Sequence, residues 1–246
     1  MAEKTVLITG GARRVGAAIA RLLHGAGCNL MIHYRGSKEA ARLLKDELNA
    51  RRADSAAIIQ ADLQDLAVLP SLVHQTVASF GGLDVLVNNA SNFHPTPVGA
   101  IGERDWDELM GSNLKAPLFL SQAAAPELRK RRGAIVNITD IHAERPLKNY
   151  VVYSIAKAGL AGLTKSLARE LAPEVRVNGV APGPILWPDD DSNFDEVSRQ
   201  RIVSHTMLKC SGEPDDIARA VRFFVFDAPF VTGQILAVDG GRSSKL

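Results

Sequence analysis

At 246 residues the chain is long enough for one large α/β domain or two small ones. Its 29 lysines and arginines against 27 acids, with 46% apolar residues, give the profile of a globular protein and argue against a disordered or polyanion-binding chain. Cys28 and Cys210 stand far apart without C-x-x-C or histidine spacing, which excludes a disulfide framework and a zinc site as readings of the sequence. Short apolar runs alternate with longer segments of helical period, the pattern of a parallel sheet covered by helices on both faces. In chain order, Val6–Thr9, Leu30–Tyr34, Ala56–Ala61, Val85–Asn88, Ala134–Thr139, Val175–Val180 and Ile235–Val238 predict seven strands. Between them Val15–Ala26, Lys38–Arg51, Leu66–Phe80, Trp106–Arg131, Tyr153–Leu171 and Pro214–Phe226 predict helices long enough for the crossovers that parallel strands need. Arg129-Lys130-Arg131-Arg132 predicts a helix C-terminus, where cations complement the dipole. Pro184 to Cys210, rich in Pro, Asp, Ser and Asn, is too long and polar for an ordinary loop and predicts a lid. Residues 1–246 are thus expected to form one doubly wound α/β domain. The start MAEKTVLITG lacks a signal-type apolar core, and no run approaches the ~18 apolar residues of a membrane span. The expectation is a cytoplasmic protein with neither membrane nor nucleic acid as partner.

Chemistry enters at the ends of the strands. Thr9-Gly10-Gly11-Ala12-Arg13-Arg14-Val15-Gly16 follows the first strand and opens a helix, the context in which a glycine-rich turn lets phosphates reach backbone N–H groups. In that setting the doubly wound sheet is of the Rossmann type. The second strand ends in His33-Tyr34-Arg35-Gly36-Ser37, where an acid would hold the ribose hydroxyls of NAD. A guanidinium beside a hydroxyl instead suits the extra phosphate of NADP, the alternative being an exposed loop arginine. Asp62 either accepts from an adenine amino group or caps a helix, and Asn88-Asn89-Ala90 ends the fourth strand. Tyr153 and Lys157, four residues apart on one helical face, form a phenol–ammonium pair. A nearby cation favours the phenolate, so Lys157 is expected to bring the Tyr153 hydroxyl towards neutrality. No metal-ligand spacing is found.

With TGGARRVG, Asn88-Asn89-Ala90, Asn113 in GSNLKAP, Tyr153-x-x-x-Lys157, Asn178-Gly179-Val180 and Pro182-Gly183 in this order, the chain resembles a short-chain dehydrogenase/reductase. The resemblance implies that Tyr153 is the acid/base, that Lys157 also holds the nicotinamide ribose, and that Asn113 holds a proton-relay water. Thirteen residues before the tyrosine most members have a serine, and this chain has Asp140. A carboxylate there repels the oxyanion formed when hydride adds to C=O, but suits C=N, which gains a proton with the hydride. Arg14 stands where the family's glycine motif has its middle glycine, and Ser91-Asn92-Phe93-His94-Pro95-Thr96-Pro97 follows the NNA motif. These departures, with HYRGS, resemble the pteridine reductases, over residues 5 to 241. That likeness implies NADPH as cofactor, a pterin-type small molecule as substrate and a homotetramer as assembly. It assigns cofactor contacts to Gly10, Arg13, Arg14, Val15, Gly16, Tyr34, Arg35, Ser37, Asp62, Leu63, Asn89, Ala90, Ser91, Lys157, Pro182 and Gly183. Substrate contacts fall to Arg14, Ser91, Asp140, Tyr153, Trp187 and Phe93, the last as a stacking plate. Gly36 replaces a basic residue, and His94 a tyrosine, found in some pteridine reductases. Trp187 with Asp189-Asp190-Asp191 is either a solvated acidic loop or a reader of a polar substrate tail. Arg242 is either a solvated terminus or a group reaching a neighbouring subunit's site.

Overall fold

The computed structural model describes residues 3–185 and 195–244. Seven parallel strands form one sheet in the order β3-β2-β1-β4-β5-β6-β7. They are β1 (Thr5–Ile8), β2 (Asn29–Tyr34), β3 (Ala56–Gln60), β4 (Val85–Asn88), β5 (Ala134–Ile138), β6 (Arg176–Pro182) and β7 (Ile235–Val238). The helices are α1 (Arg14–Gly25), α2 (Lys38–Arg51), α3 (Leu69–Phe80), α4 (Glu103–Met110), α5 (Ala116–Arg131), α6 (Val151–Glu170), α7 (Glu196–Ser204) and α8 (Pro214–Arg222). Successive strand residues face opposite sides. Val6 and Ile8 pack with α1, α2 and α8, while Leu7 packs with α3, α5 and the end of α6. Burial on both faces is why the strands read as continuous apolar runs. The order reverses between β1 and β4, and the crevice at the carboxyl ends of these strands is where such a sheet binds its ligand.

Two expectations are corrected. Trp106–Arg131 is not one helix: α4 and α5 are joined by a π-helical segment, Gly111–Lys115, in which the Ala116 N–H donates five residues back to the Gly111 carbonyl. Pro117 explains the break, because it has no N–H to offer the Asn113 carbonyl four residues earlier. The helix read as Pro214–Phe226 likewise passes from α8 into a π turn, Phe223–Asp227. Within the stretch 184–210, expected as a lid, lies α7, with Asp195 as N-cap accepting from the Ser198 N–H at 2.8 Å. Trp187 and Asp189–Asp191 lie outside the described residues. Arg129, Lys130 and Arg131 do occupy the last turn of α5, and no described helix is long and apolar enough to cross a membrane.

Candidate active site

A cleft of about 660 Å³ opens along the carboxyl ends of the strands. Its floor is the glycine turn between β1 and α1. Gly10 takes φ +59°, and a Cβ on it would lie 3.0 Å from the Ala90 Cα; a Cβ on Gly16 would run into the Gly10 carbonyl oxygen. Arg14 also sits at positive φ, +53°, so the backbone here keeps the left-handed turn although the residue is no longer glycine. No side chain caps the start of α1, which leaves its N–H groups directed at the cleft, the arrangement that binds phosphate. Thr9 and Asn89 fasten the turn to β4. The Thr9 hydroxyl accepts from the N–H groups of Asn89 and Ala90 at 2.9 and 3.0 Å, and the Asn89 side chain donates to the carbonyls of Thr9 and Gly10.

Along the cleft the structure brings together Arg13, Arg14, Val15, Arg35, Asp62, Leu63, Asn89, Ala90 and Ser91 with Pro182 and Gly183. Asp62 makes a local turn as well, its carboxylate accepting from the Gln64 N–H at 3.0 Å. Two expected cofactor residues are placed elsewhere. The Tyr34 ring is buried in the apolar core on the α1 side, and Ser37 heads α2 outside the cleft wall. Gln64 belongs to the region without any sequence signal, and Thr9 and His33, which stand inside the glycine-turn and HYRGS motifs, act through contacts made by the fold.

At the other end stand Asp140, Tyr153 and Lys157. The Tyr153 hydroxyl donates to Asp140 Oδ2 at 2.6 Å, and the other carboxylate oxygen accepts from the His142 N–H at 2.8 Å. Lys157 is buried, donates to the Ile138 carbonyl at 3.0 Å and lies 5.6 Å from the centre of the Tyr153 ring. The electrostatics reverse the expectation that Lys157 makes Tyr153 acidic. Burial, then the charge of Asp140, raise the phenol well above its ordinary value, and burial pushes Lys157 down to about 8. Tyr153 therefore keeps its proton and directs it, in a hydrogen bond, at the Asp140 carboxylate. Asn113 sits in the π segment, fully buried; its side chain donates to the Asn92 and Leu109 carbonyls and accepts from the Ser91 hydroxyl at 2.6 Å.

Phe93 lines the same cleft. Its ring stacks on Tyr150, 4.4 Å between centres and 15° between planes, and meets the edge of Tyr153 at 4.8 Å. Tyr150, three residues before Tyr153, was not singled out by any motif; the aromatic spacing on one helical face is the signal that could have found it. Arg242 is neither a solvated terminus nor confined to a neighbour's site. It is half-buried in the wall of this chain's own cleft, donating to the Ile202 carbonyl on α7 at 3.0 Å. Among the described residues no group of metal-ligating side chains converges.

A glycine turn on a switch-point cleft, with a tyrosine–lysine pair at its far end, defines a dinucleotide-dependent oxidoreductase. The family model described as enoyl-(acyl carrier protein) reductase matches residues 10–243. The chain is 38% identical over 241 residues to the 3-oxoacyl-[acyl-carrier-protein] reductase FabG of Staphylococcus aureus, covering 97% of each. It is 35% identical over 278 residues to pteridine reductase 1 of Leishmania tarentolae, covering 96% of this chain and 95% of that one. The solved structure of a blue fluorescent protein from a metagenomic library in complex with NADPH matches with a TM-score of 0.90 at 37% identity, covering 97% of each chain. The protein belongs to the short-chain dehydrogenase/reductase family.

Proposed function

We propose that the protein is an NADPH-dependent reductase of a C=N bond in a pterin or dihydropterin. The observation that carries this reading is the 2.6 Å hydrogen bond from Tyr153 to the Asp140 carboxylate. A carboxylate facing the reacting atoms disfavours the oxyanion of ketone reduction but favours a substrate that becomes cationic as it is protonated. The cleft fits a dinucleotide: uncapped α1, the left-handed turn at Gly10 and Arg14, and Arg35 at the end of β2 all suit phosphates. NADPH supplies the hydride. Tyr153, or Asp140 in its protonated form, supplies the proton to the ring nitrogen, while Lys157 holds the ribose and Asn113 a water for proton resupply. Phe93, backed by Tyr150, presents a flat apolar face to a heteroaromatic ring. Ser91 and Arg14 are polar contacts of that ring. Exposed Leu236 on edge strand β7, with exposed Phe230 before it, supports assembly into a homotetramer.

Reduction of a carbonyl carried on an acyl thioester is the second reading, favoured by the 38% identity to the oxoacyl reductase, against 35% to the pteridine reductase. Whole-chain identities this close do not separate the two, and Asp140 is the feature that favours the pterin reading. Oxidation of NADPH is to be followed with dihydrobiopterin, dihydrofolate and acetoacetyl thioesters. Turnover of the dihydropterin at least tenfold more efficient than of the thioester is expected. The opposite order assigns the protein to carbonyl reduction.

A further inference from the structure

His33 takes no part in the chemistry at Tyr153, yet it is 2% exposed at the end of β2 with both ring nitrogens engaged. The Gly10 N–H donates to Nδ1 at 3.1 Å, and Nε2 stands 3.1 Å from the Ala61 carbonyl oxygen. The Gly11 N–H donates to the carbonyl of His33 itself at 2.9 Å. A backbone N–H can only donate and a carbonyl can only accept. The ring must therefore keep Nδ1 as a lone pair and carry its proton on Nε2. Imidazolium satisfies Ala61 but sets an N–H against the Gly10 N–H. Because Gly10 is in the left-handed region and packs against Ala90, the turn has little room to absorb that conflict.

We propose that His33 is a positioning residue of the cofactor site: its neutral Nε2–H tautomer clamps the glycine turn in phosphate-binding geometry, and protonation releases the clamp so that dinucleotide affinity falls in acid. This rests on the reading that the cleft holds NADPH. The surroundings favour the neutral ring at working pH. Burial lowers the imidazole's ordinary value, opposed by the Ala61 hydrogen bond and by Asp62. Other charged groups stand around it. Arg13 and Arg14 line the cleft from the glycine turn and Arg35 from the end of β2, while Asp65 in the following turn caps a 3-10 helix. Strands β1 and β3, on either side of β2, carry no ionisable side chain. On α1 and α2, Arg21 is paired with Glu47 and Arg42 with Glu39 and Asp46.

The test compares wild type, His33→Asn and His33→Leu by fluorescence titration with NADPH between about pH 5.5 and 8. Asparagine puts an amide oxygen where Nδ1 sits and has nothing to titrate. At pH 8, His33→Asn should bind within about threefold of wild type and His33→Leu about tenfold more weakly, the effect of losing one buried acceptor. On acidification wild type should weaken at least tenfold more than His33→Asn; titration of the ligand's own 2′-phosphate is common to both and cancels. Parallel pH dependences overturn the proposal. Failure of NADPH to bind wild type at millimolar concentration overturns the cofactor reading and this proposal with it. The nitrogen NMR shift of the free wild-type protein gives a separate readout should His33→Asn not fold: a pyridine-like Nδ1 at neutral pH is expected, and a protonated Nδ1 there overturns the clamp even if NADPH binds.

Discussion

On the proposed reading, Asp140 and Lys157 are where single residues decide the chemistry. Asp140 holds the Tyr153 proton through one oxygen and the backbone of a short turn through the other, so a serine in its place keeps neither the charge nor both contacts. Asp140→Ser should lower kcat/KM for a dihydropterin at least a hundredfold, about 2.7 kcal/mol of transition-state stabilisation, with the NADPH dissociation constant unchanged within about threefold. An unaltered kcat/KM would remove Asp140 from the mechanism. Lys157 illustrates a stability cost carried for function. Its pKa falls from 10.5 to about 8, so between those values the unfolded chain binds more protons than the folded one and stability rises with pH. The cost of the buried ammonium is therefore full below about pH 8 and relieved towards pH 10.5. Lys157→Met, inactive, should melt above wild type at pH 7, with that advantage shrinking by pH 10; a pH-independent difference would contradict the assignment. Tyr153 makes no such demand, because its raised value leaves it neutral in both states through neutral pH.

Elements show how far the sequence speaks. All seven strands and the ends of most helices follow from apolar period and breakers, because both faces of the inner strands are buried, while edge strand β7 is open to solvent. The π segment at Gly111–Lys115 was hidden, since its cause is one missing N–H at Pro117 inside an otherwise helical period. Helix α7 was hidden for the opposite reason: its residues are mostly polar, none is fully buried, and only Asp195 marks its start. Motif residues such as Tyr153, Lys157 and the glycines were legible because their chemistry fixes their spacing. The roles of His33, Tyr150 and Arg242 in the site were not legible, because they come from partners 22 to 57 positions away or from packing that no local pattern encodes. The turn itself allows a sharp test. A methyl on Gly16 meets the Gly10 carbonyl, lies 2.7 Å from the Asn89 amide and 2.9 Å from the Gly11 Cα, all parts of one fastened turn. Gly16→Ala should cost ~1–3 kcal/mol, a fall in Tm of roughly 2–12 °C for a domain of this size. A thermal melt with an unchanged midpoint would mean that the turn relaxes freely.

The whole molecule places phosphate-binding groups at one end of the cleft and proton-handling groups at the other, held apart by the strand order β2-β1-β4-β5. On the proposed reading cofactor choice is made at Arg35, away from Tyr153, and the two functions should be separable by mutation. Arg35 is exposed at the end of β2, and Gly36 beside it leaves open space, so the guanidinium has room to meet an added phosphate. A charge-assisted pair there contributes ~1.5–3 kcal/mol, which is roughly a tenfold to hundredfold preference for NADPH over NADH. Arg35→Asp should reverse that ratio, because the carboxylate repels the phosphate and accepts from the two ribose hydroxyls of NADH. Melting provides a measurement independent of turnover. Ligand at about one hundred times its dissociation constant adds ~2.7 kcal/mol of stability, roughly 5–11 °C in Tm at this chain length. At one fixed concentration NADPH should therefore raise the wild-type Tm more than NADH does, and Arg35→Asp should exchange the two, while the melting point without cofactor stays within about 2 °C because the residue is exposed. Equal shifts by both cofactors in wild type would take the 2′-phosphate away from Arg35, and an unchanged order in the variant would move its recognition to Arg13 or Arg14 in the glycine turn.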